Sequence, residues 1–139
     1  MKRDVILDTG PLVALLNPRD AYHEWATYQL ADILPPLLTC EAVIAEACFL
    51  STNYGKKPHT VLELMQDGFM TVSFQLNDEI EYLEKLMRKY ADVPMALADA
   101  CLVRMTEQYP RSTLLTLDSD FHIYRKHGRQ SIPCLIPDM

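Results

Sequence analysis

The chain has 139 residues, 49% of them apolar and 23% charged, with a formal net charge of −6. That length suits one domain with a real core, residues 1–139, and is too short for two. Three consecutive strongly apolar residues in "MKRDVILDTG" are too few for a signal-peptide core, and no stretch approaches the roughly 18–20 residues of a membrane span. A cytoplasmic protein without a membrane partner is the expectation.

In chain order, strand-like runs fall at Val5–Asp8, Pro36–Thr39, Met70–Phe74, Thr113–Leu117 and Ile132–Leu135. Helical patterns separate them at Gly10–Leu16, Tyr22–Leu34, Glu41–Thr52, Thr60–Gln66, Asn77–Tyr90 and Met95–Gln108. "QLNDEIEYLEKLMRKY" is amphipathic, acid-rich at its start and basic at its end, as the helix dipole favours. Strands alternating with helices predict an α/β fold: three layers, α/β/α, around a central, mostly parallel twisted sheet. Ligands in such folds sit outside the carboxyl ends of the strands.

Four acids stand where apolar residues belong. The run Val5–Leu7 releases Asp8 into "DTGP", which reads as a turn, and "TLLTLDSDF" releases Asp118 after another apolar run. Glu46 has Ala42, Val43, Phe49 and Leu50 at i±3 and i±4, so the helical pattern sets it in the buried stripe. Asp99 has Met95, Ala96, Leu102 and Val103 in the same positions. Each acid alone passes for a cap, a turn former or half an ion pair. Together they are harder to explain, because carboxylates about 4 Å apart repel by roughly 4 kcal/mol per pair at an effective dielectric near 20. A cation relieves that repulsion. An oxygen-only donor set suits Mg²⁺ or Mn²⁺, while four scattered histidines and four cysteines without C-x-x-C spacing give no zinc pattern.

The segments "VILDTGPLVALLN", "HEWA", "LTCEAVIAEACFL", "ADACLVRM" and "LLTLDSDF", in that order, resemble PIN-domain proteins, and within that superfamily the chain is similar to VapC-type toxins of bacterial toxin–antitoxin pairs. The resemblance implies a metal-dependent endoribonuclease leaving 5′-phosphate products, a homodimer, and an antitoxin protein as partner. It assigns the catalytic and metal-binding acids to Asp8, Glu46, Asp99 and Asp118. Thr116 matches a hydroxyl residue before the fourth acid, and Asp120 an auxiliary acid. One position departs: Ala96 stands where many relatives carry a further acid, which puts a second metal ion in question.

The net charge argues against nucleic acid, yet two divalent ions would offset four of the six excess negative charges. Lys56 and Lys57 in "NYGKKP", Arg125, Lys126 and Arg129 in "YRKHGRQ", and Arg104 one turn past Asp99 are candidates for RNA phosphate contacts. The aromatic-rich "YHEWATYQLADIL" is a candidate partner surface, and His23 within it a structural hydrogen-bonder. A haloacid-dehalogenase reading of "LDSDF" fails because that motif comes early in such enzymes and only 19 residues follow Asp120. The serious alternative, which Ala96 favours, is a catalytically weak PIN-like module that binds RNA or protein.

Overall fold

Val5, Ile6 and Leu7 are fully buried, and this short strand, β1 (Val5–Leu7), lies at the centre of the sheet. In the computed structural model, which describes residues 1–138, β2 (Leu37–Thr39) and β4 (Thr113–Leu115) flank it in parallel, with β3 (Met70–Val72) beyond β2 and β7 (Cys134–Leu135) beyond β4. The order β3-β2-β1-β4-β7 is all-parallel, which explains the continuous apolar runs: helices cover both faces.

α1 (Thr9–Leu16) packs on α2 (His23–Ala31) and α3 (Glu41–Ser51), and α3 on α4 (His59–Gln66). α5 (Ile80–Lys89) packs on α6 (Leu97–Gln108), which lies against β1 and β4. The three-layer α/β/α expectation is met.

Local differences from the sequence expectations have physical causes. "DTGP" is a helix start rather than a turn: Asp8 caps α1 and Pro11 occupies its first turn, where a missing N–H costs nothing. Asn17 ends α1 because Pro18 disfavours helical backbone before it. The helix expected at Asn77–Tyr90 begins as a 3-10 turn, Leu76–Glu79, before α5 takes over, supported by the i,i+4 pairs Glu81–Lys85 and Glu84–Arg88. The basic segment "YRKHGRQ" forms an antiparallel hairpin, β5 (Arg125–Lys126) with β6 (Gln130–Ser131), turned through His127 and Gly128, both at positive φ. His23 Nδ1 meets Ala14 O at 2.7 Å, locking α2 to α1. All four cysteines are free thiols. No helix among the described residues is long and apolar enough to cross a membrane.

The strand order reverses between β1 and β4, one strand leading off toward β2 and the other toward β7. That switch point opens a crevice at the carboxyl edge.

Candidate active site

Asp8 follows β1 directly, and its backbone N–H still pairs with Leu115 O of β4 at 3.0 Å. The residue is 7% exposed. Oδ1 accepts the Thr9 N–H at 2.7 Å and Oδ2 accepts the Thr116 hydroxyl at 2.7 Å. Burial outweighs these bonds and, with the nearby Asp99 and Asp118 charges, pushes the Asp8 carboxyl up to about 6 from 3.8.

Thr116, fully buried just past β4, also accepts the Asp118 N–H at 3.0 Å. Asp118 Oδ1 in turn accepts the Asp120 N–H at 2.9 Å and caps the 3-10 turn Ser119–His122. One hydroxyl therefore links the acid after β1 to the backbone of the acid after β4.

Asp99 is the third residue of α6, two positions nearer the helix start than the expected boundary at Met95 puts it. Its Oδ2 accepts the Ala96 N–H at 3.1 Å and the Tyr124 hydroxyl at 3.2 Å. Half-burial first, then the charges of Asp118 and Glu46, raise its carboxyl above the usual range. The Tyr124 phenol is pushed up too, by burial and by the Asp99 charge, so it stays a proton donor at neutral pH.

Glu46 requires a correction. It is exposed rather than set in a buried stripe, and Phe49 on the same helix is 72% exposed. Apolar neighbours misled because α3 buries only a narrow stripe, Val43, Ala47 and Ser51. Glu46 instead shares the pocket-facing side of α3 with Leu50.

Asp8, Glu46, Asp99 and Asp118 line one open pocket of about 620 Å³ at the switch point. Asp20, from the loop between α1 and α2, lines it as well. The sequence reading missed Asp20 because it stands at a helix entrance, where its carboxylate accepts the Tyr22 N–H at 2.8 Å like an ordinary turn former. Thr9, Ser119 and Tyr54 were also missed, none carrying a charge to signal it. Asp120 does not line the pocket; its backbone orients Asp118 and its charge bears on Tyr124.

The RNA-contact candidates divide. Lys56, Lys57 and Arg129 are exposed. The Arg125 guanidinium is already committed to the carbonyls of His122 and Tyr124. Lys126 is withdrawn: it is only 6% exposed within the hairpin. Arg104 is withdrawn too, since it pairs with Glu79 at 3.0 Å and Glu107 at 3.1 Å and lies over the Tyr82 ring. None of the six lines the acidic pocket.

Among the described residues, no group of three or more His, Cys, Asp or Glu is gathered closely enough to hold a metal ion as it stands. The donors nevertheless fit a hard divalent cation: they are all oxygen, they repel one another, and Thr9 Oγ1 is buried in the pocket wall without a hydrogen-bond partner.

A family model described as PIN domain matches residues 5–126. The chain belongs to the PIN-domain family. Among curated proteins it is similar to Ribonuclease VapC26 of Mycobacterium tuberculosis, with 28% identity over 116 residues, 82% of this chain and 86% of that one. Among solved structures, VapC20 of M. tuberculosis, described as a Sarcin-Ricin loop cleaving toxin, superposes with a TM-score of 0.76 at 19% identity, over 94% of this chain and 100% of that one. VapBC2 from Rickettsia felis, bound to a DNA fragment from its promoter, gives a TM-score of 0.62 at 14% identity, over 99% and 100%. At those identities the two structures speak for the fold alone. The PIN-domain match spans all four acids that the sequence resemblance assigned, from Asp8 to Asp118.

Proposed function

We propose that this PIN-domain protein is a metal-dependent endoribonuclease, the toxin of a VapBC-type toxin–antitoxin pair. The observation that carries the reading is the convergence of Asp8, Glu46, Asp99 and Asp118 on one pocket at the sheet's switch point. Family membership and the likeness to a ribonuclease support the substrate class.

Asp8, Asp99 and Asp118 would hold Mg²⁺ or Mn²⁺, with Glu46 available to a second ion or to the attacking water. The bound ion supplies an acidified water and stabilises charge on phosphate oxygens. The chain's own residues set the geometry. Thr9 and Thr116 each take one lone pair of Asp8 and leave one on each oxygen for a ligand. The Asp99 oxygen nearer Tyr124 is held by two donors, so its other oxygen is the one free to bind. Glu46 makes no hydrogen bond or ion pair among the described residues, which suits a carboxylate that accepts a proton from water. Val13, Leu50 and Leu117 form the apolar part of the wall. A 5′-phosphate product, a homodimer and a co-encoded antitoxin complete the proposal; exposed Tyr28 on α2, Leu76 in the 3-10 turn and Ile80 at the start of α5 offer apolar surface for such partners.

The test is cleavage of single-stranded and structured RNA by purified protein in Mn²⁺ or Mg²⁺. Loss of cleavage in Asp8→Asn and Asp99→Asn supports the enzyme. RNA binding without cleavage, unchanged in both variants, supports instead the weakly catalytic module, which the missing acid at Ala96 favours.

A further inference from the structure

Beside the acidic pocket lies a cleft of opposite chemistry. Asn17, Pro18, Arg19, Asn53 and Tyr54 line a groove of about 550 Å³ with no carboxylate in its wall. Tyr54 belongs to both cavities. It gets there by the rotation of α3: Glu46, Leu50 and Tyr54 follow at intervals of four, and the 3-10 turn Thr52–Tyr54 continues the helix until Gly55, at φ 75°, ends it. The face that delivers the Glu46 carboxylate to one cavity delivers an aromatic ring to the boundary with the next. Tyr54 is 43% exposed.

Across the groove, Arg19 sits in the short loop between α1 and α2. Its backbone is pinned, its N–H donating to Asn17 Oδ1 at 3.1 Å and Asp20 N–H to Asn17 O at 3.0 Å. Its guanidinium makes no ion pair or hydrogen bond among the described residues, unlike Arg104 and Arg125. The groove thus combines a half-exposed tyrosine, a free guanidinium on an anchored backbone, and the Asn53 amide, which both donates and accepts. Those are the groups that stack a base, hold a phosphate and read a base edge. Exposed Lys56 and Lys57 follow Tyr54 directly after Gly55 and extend the positive charge.

The geometry points to a nucleotide subsite in this groove: the base flanking the scissile phosphate stacks on Tyr54, and Arg19 takes that nucleotide's outer phosphate. This rests on the endoribonuclease reading and adds to it the residues that position single-stranded RNA on one side of the cut. An aromatic platform next to a carboxylate pocket selects an unstacked strand, since a paired base has no free face to offer.

The test uses the full chain and a short single-stranded RNA carrying 2-aminopurine, bound in chelator to separate binding from cleavage. Stacking quenches the probe in wild type and in Tyr54→Phe, and the quench is lost in Tyr54→Ala. With Mn²⁺, Tyr54→Ala raises KM by about 5- to 150-fold, the range base–aromatic stacking spans, and leaves kcat nearly unchanged. Arg19→Ala weakens binding and reduces the salt slope by about one. Both side chains are solvent-accessible, and thermal melts matching wild type verify folding. A wild type that cuts RNA while Tyr54→Ala and Arg19→Ala keep its KM and its quench overturns the subsite alone. A fall in kcat at constant KM also overturns it. A wild type that neither binds nor cuts RNA overturns the subsite together with the proposed function.

Discussion

The Thr116 hydroxyl donates to Asp8 Oδ2 at 2.7 Å across the strand switch point, 108 residues away in sequence. Thr116 Oγ1 also accepts the Asp118 N–H, so one buried group positions two of the proposed metal ligands. Thr116→Val leaves a carboxylate oxygen and an amide without partners. It is expected to cost about 1–3 kcal/mol in urea unfolding and to lower cleavage at least tenfold, while Thr116→Ser retains both. Equal stability of the valine and serine variants would show that the hydroxyl matters to neither.

Asp8 makes metal-free stability depend on pH. Its carboxyl is pushed up to about 6 in the folded chain from 3.8, so the native state holds the proton more tightly than the unfolded state. The stability this contributes is full below about pH 4 and is lost as pH rises through 6. In chelator, Asp8→Asn should gain on wild type by about 3 kcal/mol at pH 7.5 and show little advantage at pH 4. Urea midpoints at the two pH values measure this, and a gain of equal size at both would exclude the ionisation of Asp8 as its source.

Divalent cations should reverse that penalty. Mn²⁺ at a hundred times its dissociation constant raises wild-type stability by about 2.7 kcal/mol, read as a concentration-dependent melting temperature. Asp8→Asn and Asp99→Asn should flatten the response. A response preserved in both variants would place the ion elsewhere.

Ala96 caps α6 without a side-chain acceptor, although its own N–H is held by Asp99. Ala96→Asp completes the reciprocal cap, worth about 1 kcal/mol, and adds a carboxylate to the pocket wall. Repulsion offsets the cap in chelator. With Mn²⁺ the charge is compensated, so the metal-induced rise in melting temperature should exceed that of wild type. A smaller rise would mean that the position contributes nothing to metal holding.

Arg104 belongs to a different device. The Glu107 side chain, 1% exposed, accepts from Arg104, from the Tyr82 hydroxyl and from the His127 N–H, tying α5, α6 and the β5–β6 hairpin together. Glu107→Ala leaves the Tyr82 hydroxyl and the His127 N–H without their acceptor, while Arg104 keeps Glu79, and is expected to cost about 1–3 kcal/mol. Arg104→Ala should lower stability while leaving RNA affinity unchanged, measured by melts and by binding in chelator.

By itself the amino-acid order determined what is local. Apolar runs alternating with amphipathic helices specify a parallel sheet covered on both faces, because hydrophobic periodicity is set by neighbours along the chain. Asp8 and Asp118 were legible as strand-end acids for the same reason: each follows its strand within three residues. Tertiary structure alone decided the rest. The turn of α3 about its axis carries Glu46 to the pocket and Tyr54 to its rim. The α1–α2 loop brings in Asp20, whose turn chemistry hid it. Burial removes Lys126 from solvent, and two carboxylates occupy Arg104. Such outcomes depend on strand order and helix rotation, which are settled by packing between residues distant in sequence, and no pattern of neighbours encodes them.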